Sequence, residues 1–202
     1  MMRRQFEELL LGAVMLLAED VDLRDAGTAS HSRTVGIYAR DTAKALGIAD
    51  ERLERIHAAD VLHDLGKVGI ADAILLNPRA LTAEEWTEMR RHADIGARIL
   101  EHAGMDDIAG WVRAHHERLD GTGYPLGLSA DQIAIEARIL AVADAYEAMT
   151  ADRPYRTAMS HADARDELLR WAGTQFEPSI VTAFLAVIEN GEQAIEALRA
   201  AA

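Results

Sequence analysis

Apolar residues recur every three or four positions through most of this 202-residue chain, and no stretch sustains the two-residue alternation of a half-buried strand. That periodicity predicts a nearly all-helical domain. Helices are expected at about 3–23, 30–46, 50–65, 82–103, 106–117, 135–150, 160–171 and from 178 onward. Gly47, Gly66, Gly104 and Gly173 fall where C-terminal glycine stops belong, and Thr82 with Glu85 has the form of a capping box. Ser160 stands where a cap would start the helix near His161. Two loops remain, over 66–81 and 118–130, and the second holds Asp120-Gly121-Thr122-Gly123-Tyr124-Pro125.

Half of the residues are apolar, enough to bury a core as one domain, and no repeat, low-complexity tract or linker divides the chain. We expect an N-terminal amphipathic helix over 1–22 and a single domain over 23–202. Arg3 and Arg4 ahead of the apolar run 9–18 imitate a secretory signal. Glu7 and Glu8 interrupt it, the run is too short to span a bilayer, and no small-residue cleavage site precedes Glu19-Asp20. The segment therefore reads as a helix packed on the domain or pairing with a second copy as a homodimer, with no membrane insertion and a cytoplasmic location. A net charge of −13 lacks the broad basic face that long nucleic acid requires. A small anionic ligand remains compatible if positive charge is concentrated locally. The absence of cysteine removes disulfides and thiolate metal sites, so any metal must sit on nitrogen and oxygen, which points to iron, manganese or another divalent ion.

Donors of that kind are spread over more than a hundred residues: His31, His63, Asp64, His92, His115, His116 and Asp144, each on or beside an expected helix. Five imidazoles and two carboxylates could ligate two metal ions and serve hydrolysis of a phosphate ester. Neighbouring side chains on a helix point about 100° apart, so His63 and Asp64 can face different ions and Asp64 can bridge them. Asp144 interrupts the apolar stretch 139–145, where a buried carboxylate needs a cation or a donor; pairing with Arg138 or Arg153 is the competing explanation. Taken singly, His31 and His92 read as surface or core histidines, and His115-His116 as an exposed pair.

Together the pieces resemble a known family. His31-Ser32-Arg33, His63-Asp64-Leu65-Gly66-Lys67, His92, His115-His116-Glu117-Arg118, Gly123-Tyr124-Pro125, Val142-Ala143-Asp144 and Asp152-Arg153-Pro154-Tyr155-Arg156 are similar, in order and spacing, to the HD-GYP domain. This is a bacterial branch of the HD-domain metal-dependent phosphohydrolases, and the resemblance runs from about residue 23 to 185. It implies an all-α HD-domain helical bundle with an additional N-terminal helix and extra C-terminal helices. It also implies hydrolysis of cyclic di-GMP to linear pGpG and, in some members, GMP.

Carried over by position, the resemblance places one divalent ion, Fe or Mn, on His31, His63, Asp64 and Asp144, and a second on Asp64, His92, His115 and His116. The two ions would activate a shared water for attack on phosphorus, with Asp64 and Lys67 as catalytic residues. Lys67 would also reach a phosphate, as would Arg153 and Arg156, and Tyr124 would stack on or hydrogen-bond the nucleotide. Gly27 stands where a subset of the family has a third-metal glutamate, so two metals are expected. Glu147 replaces the usual aspartate after Asp144, while Asn77, Arg79 and Ser129-Ala130 depart from the common loop residues. His57, His102 and His161 have no counterpart and are expected to be structural or exposed. The alternative reading is a low-activity module that binds cyclic di-GMP or docks a diguanylate cyclase (GGDEF) domain through the Gly-Tyr-Pro loop. A general HD nucleotidase would leave that loop and the Arg-Pro-Tyr-Arg segment without a purpose.

Overall fold

The computed structural model describes residues 12–18, 21, 31–152 and 157–200, with the backbone alone for 31–35 and 192–200. Residues 12–18 are helical. The order then runs α1 (His31–Ala45), α2 (Asp50–Val61), a 3-10 turn (Leu65–Gly69), α3 (Asp72–Leu75), α4 (Ala83–Arg90), α5 (His92–His102) and α6 (Asp106–Ala114). A second 3-10 turn (Ala130–Gln132), α7 (Ile135–Thr150), α8 (His161–Arg170) and α9 (Pro178–Ala200) complete it. Among the described residues there is no strand, only the isolated bridges Asp120–Ser129 and Ala172–Phe176. The fold is all-α, as the periodicity requires.

Helix α7 lies at the centre because it is apolar on more than one face: Ala137, Ile139, Leu140, Val142, Ala143 and Tyr146 are all buried. Around it, Tyr38 of α1, Tyr146 and Phe184 of α9 meet edge to face, with ring centroids 5.1–6.0 Å apart. Contacts of this type add about 0.5–1.5 kcal/mol each beyond the area they bury. Arg52 pairs with the buried Glu136 and Arg55 with Asp107, which ties α2 to α7 and to α6. Val14 and Ala18 join the core, so the segment 12–18 packs on the domain and leaves Leu16 and Leu17 outward.

Gly47, Gly104 and Gly173 end their helices in the left-handed region, with φ of 76°, 74° and 88°. Thr82 and Glu85 form the reciprocal capping box, and the Ser160 hydroxyl accepts from the Asp163 N–H. Gly66 serves another purpose than the expected stop. It lies inside the 3-10 turn, and a side chain there would run into the backbone of His92 and Gly96 on α5. Three expected helices are also shorter than the periodicity suggested. The segment 82–103 divides at Arg91 into α4 and α5, α2 ends at Val61, and α6 ends at Ala114. Each interruption falls within two residues of a histidine of the donor set.

Candidate metal centre

The interruptions share a feature. At each of these helix ends a histidine side chain reaches back to a carbonyl three residues before it. The Nδ1–H of His92 donates to the Met89 carbonyl at 2.8 Å, that of His63 to Asp60, and that of His115 to Val112. A carbonyl can only accept, so Nδ1 carries a proton in each ring and Nε2 is the nitrogen turned away from it, with a lone pair wherever the ring is neutral. The Nε2 atoms of His92 and His115 are buried and have no hydrogen-bond partner among the described residues. A buried, unpartnered imidazole nitrogen in a fixed tautomer is what a divalent ion requires of a ligand.

These nitrogens converge. Donor atoms of His92, His115 and His116 lie within 4.8 Å of one another. Asp64 stands between two groups of donors: its Oδ1 is 3.5 Å from His92 Nε2, and its Oδ2 is 3.4 Å from His63 Nε2. Asp144 Oδ1 lies 3.7 Å from His63 Nε2, on the His63 side. Arg138, one of the two competing partners for Asp144, is engaged instead with Glu177 and with backbone carbonyls of Ile133 and Ala130. Lys67 Nζ pairs with Asp64 Oδ2 at 2.7 Å. The side chain of His31, and Arg153 and Arg156 entirely, lie outside the described residues.

Burial and charge sort the protonation states. Burial pushes His115 well below the usual histidine pKa, His116 down to about 3, and His92 downward as well, so all three are neutral at pH 7. Burial acts the same way on His63, but the carboxylates of Asp64 and Asp144 outweigh it and hold that ring well above its usual value. Burial would raise Asp64 and Asp144, yet Lys67 and His63 keep the first ionised, and the hydrogen bond from His63 the second.

Asp60 is a residue that the sequence reading passed over. It is fully buried on α2, and neither carboxylate oxygen has a hydrogen-bond partner among the described residues. Burial, with Asp144, Asp64 and Glu147 nearby, raises its pKa well above the carboxylate range despite His63. A signal was available, because Asp60 interrupts the apolar run 58–62 just as Asp144 interrupts 139–145.

A cavity of about 360 Å³ opens over the cluster, with Asp64, Lys67, His92, His116, Tyr124 and Asp144 as its polar lining. Glu117, buried beside His116, accepts from the backbone N–H groups of Leu126, Gly127 and Leu128 at 2.6–3.1 Å and fastens the loop that carries Tyr124. Gly121 takes φ 74°. A side chain at Gly123 would collide with the backbone of His116, Glu117 and Arg118. Tyr124 packs on His116, with centroids 4.7 Å apart and planes inclined 32°. His102 is exposed, whereas His161 stacks on Tyr146 and hydrogen-bonds its hydroxyl at 2.7 Å.

A helical scaffold presenting a His-Asp pair to further histidines is the arrangement described by the HD domain, whose family model matches residues 16–180. The chain belongs to the HD domain family. A cyclic di-GMP phosphodiesterase of Thermotoga maritima is 37% identical to this HD domain over 184 residues, matching 90% of the chain and 50% of its own length. The 3'3'-cGAMP-specific phosphodiesterase 2 of Vibrio cholerae is 38% identical over 172 residues, 84% of this chain and 33% of its own. This HD domain thus spans a third to a half of those curated relatives. An HDG"Y"P protein from Bdellovibrio bacteriovorus shares the fold at a TM-score of 0.65 and 18% identity, over 79% of this chain and 51% of that one. Among the described residues no helix is long and apolar enough to cross a membrane.

Proposed function

We propose that this HD domain hydrolyses cyclic di-GMP at a centre of two divalent ions, iron or manganese. The observation that carries the reading is the convergence of buried Nε2 atoms on a carboxylate, Asp64, whose two oxygens face different histidines. His31, His63, Asp64 and Asp144 would hold one ion, and Asp64, His92, His115 and His116 the other. Bound there, divalent ions supply Lewis acidity toward a phosphate ester and a nucleophile from water at neutral pH.

The protein's own groups would do the rest. Asp64 and Asp144, held ionised, are ready to ligate without losing a proton. Lys67, 2.7 Å from Asp64, adds a positive charge at the mouth of a strongly acidic chain and would meet a phosphate oxygen. Burial pushes the Tyr124 phenol upward, so it stays a hydrogen-bond donor toward the substrate. Arg153 and Arg156 would add phosphate or base contacts. Support for the substrate comes from relatives bearing that activity in their names. A relative named for 3'3'-cGAMP makes this mixed dinucleotide the alternative substrate.

The test is chromatographic product analysis after incubating anaerobically purified, iron- or manganese-loaded protein with each dinucleotide, using Asp64→Ala as the control. Linear pGpG or GMP from cyclic di-GMP, absent in the control, is the expected outcome. Cleavage of 3'3'-cGAMP alone would reassign the substrate. Two bound metals with both dinucleotides intact would leave a binding or cyclase-docking module as the better reading.

A further inference from the structure

The chain has three tryptophans, and two of them are accounted for by packing. Trp111 is buried in the core. Trp171 donates its indole N–H to Glu167 at 2.6 Å and is covered by the guanidinium groups of Arg118 and Arg170. Trp86 is different, for the residue is 48% exposed and lines the cavity above the candidate metal centre, together with Leu81 and Met89.

The helix that carries it gives a second indication. None of the residues of α4 is fully buried, and only Glu85 and Met89 are partly so, so core packing contributes little to holding this helix in place. Its first turn is fixed instead by polar contacts: the Thr82–Glu85 capping box, and Arg79, which forks onto Glu85 at 2.7 and 2.8 Å. A capped helix with no fully buried residue, which holds an indole at the mouth of the cavity over the donor cluster, presents apolar surface for a ligand rather than for the core. The other aromatic ring of the cavity is already in use. Tyr124 packs against His116, and the Arg90 guanidinium sits 5.1 Å from its ring centroid.

We propose that Trp86, flanked by Leu81 and Met89, is the stacking platform for a purine base of the bound nucleotide, and that Tyr124 contributes its hydroxyl rather than its ring face. The assignment rests on the nucleotide-hydrolase reading above. It separates the tasks in the cavity: the donor cluster and Lys67 meet the phosphate, and the indole meets the base. Every base has a π-face, so the platform supplies affinity to purine dinucleotides in general and leaves the choice between guanine and adenine to hydrogen-bonding groups.

The experiment uses manganese-loaded wild type, Trp86→Ala and Trp86→Phe, titrated calorimetrically with GMP and with ribose 5-phosphate, which lacks the base. Initial rates on cyclic di-GMP are measured in parallel. For Trp86→Ala, GMP should bind about 5- to 150-fold more weakly, the range expected for loss of one base–aromatic stack. KM for cyclic di-GMP should rise by a comparable factor while kcat stays within about twofold, the mark of lost ground-state binding. Ribose 5-phosphate should bind as before, and Trp86→Phe should recover most of the affinity. Unchanged GMP affinity in Trp86→Ala overturns the platform, as does an equal loss for ribose 5-phosphate or a wild type that does not bind GMP. The two readings fail separately. A wild type that binds GMP through Trp86 but leaves cyclic di-GMP intact sinks the phosphodiesterase alone, and hydrolysis undiminished in Trp86→Ala sinks the platform alone.

Discussion

Both carboxylate oxygens of Glu117 are occupied by backbone N–H groups of the loop behind Tyr124, so that loop hangs from the residue next to His116. Glu117→Gln keeps the shape but turns one acceptor into a donor, leaving at least one N–H of Leu126, Gly127 or Leu128 unsatisfied. Such a loss costs about 1–3 kcal/mol, which urea unfolding would register as a lower midpoint with an unchanged slope. Asp60 makes the opposite case. Its folded pKa lies well above the unfolded value, so the folded chain keeps a proton that the unfolded chain releases. Stability then falls as pH rises from the ordinary carboxylate range toward the raised pKa. In metal-free protein, Asp60→Asn should be more stable than wild type at neutral pH, and the difference should vanish below about pH 4, where both states are protonated. Thermal melts across pH in chelator would show this, and a pH-independent difference would remove Asp60 as its source.

At the scale of the elements, the contact that sets the geometry of the centre is the crossing of the Leu65–Gly69 turn over α5 at Gly66. Gly66→Ala would push a methyl group into the backbone of His92 and Gly96. We expect about 1–3 kcal/mol of destabilisation from overpacking, together with weaker metal binding, because His92 moves relative to Asp64. A variant with full metal occupancy and wild-type stability would show that the turn can yield. That crossing also marks where sequence reading stops. The bounds of α7, the glycine stops at 47, 104 and 173, and the two caps were legible because each depends on residues within a few positions. The role of Gly66 was not, since its partner lies 26 residues or more away and leaves no local trace. The division of 82–103 was hidden as well, because apolar spacing continues across Arg91 while a side chain claims the Met89 carbonyl. Within the site, His63, Asp64, His92, His115, His116 and Asp144, singled out by the motif spacing, lie together, while the side chain of His31, and Arg153 and Arg156, fall outside the described residues. Trp86 was invisible because a lone tryptophan on a helix reads as core until its exposure is known.

For the molecule as a whole, metal binding should be coupled to both proton release and stability. His92, His115 and His116 are neutral in the free protein, whereas His63 is held protonated by Asp64 and Asp144. Metal uptake at pH 7 should therefore release the proton of His63 and one more from an ionised bound water, rather than one per histidine. Calorimetry in buffers of different ionisation heat measures this, and release of none or of four or more would contradict the assignment. An ion that binds only the folded chain adds about 2.7 kcal/mol of stability at a hundredfold excess over its Kd, so chelation should lower the Tm. A Tm indifferent to chelator would mean that the cluster holds no tightly bound ion.

The three rings that donate to carbonyls three residues behind them have one more consequence. Each is aimed by a stretch of four residues belonging to its own segment, before any partner helix arrives. Drift in the packing between helices can therefore change how far apart the nitrogens stand, but not which nitrogen each presents. Such a centre can be retuned from one ion to another, or from one spacing to the next, by substitutions that touch none of its ligands.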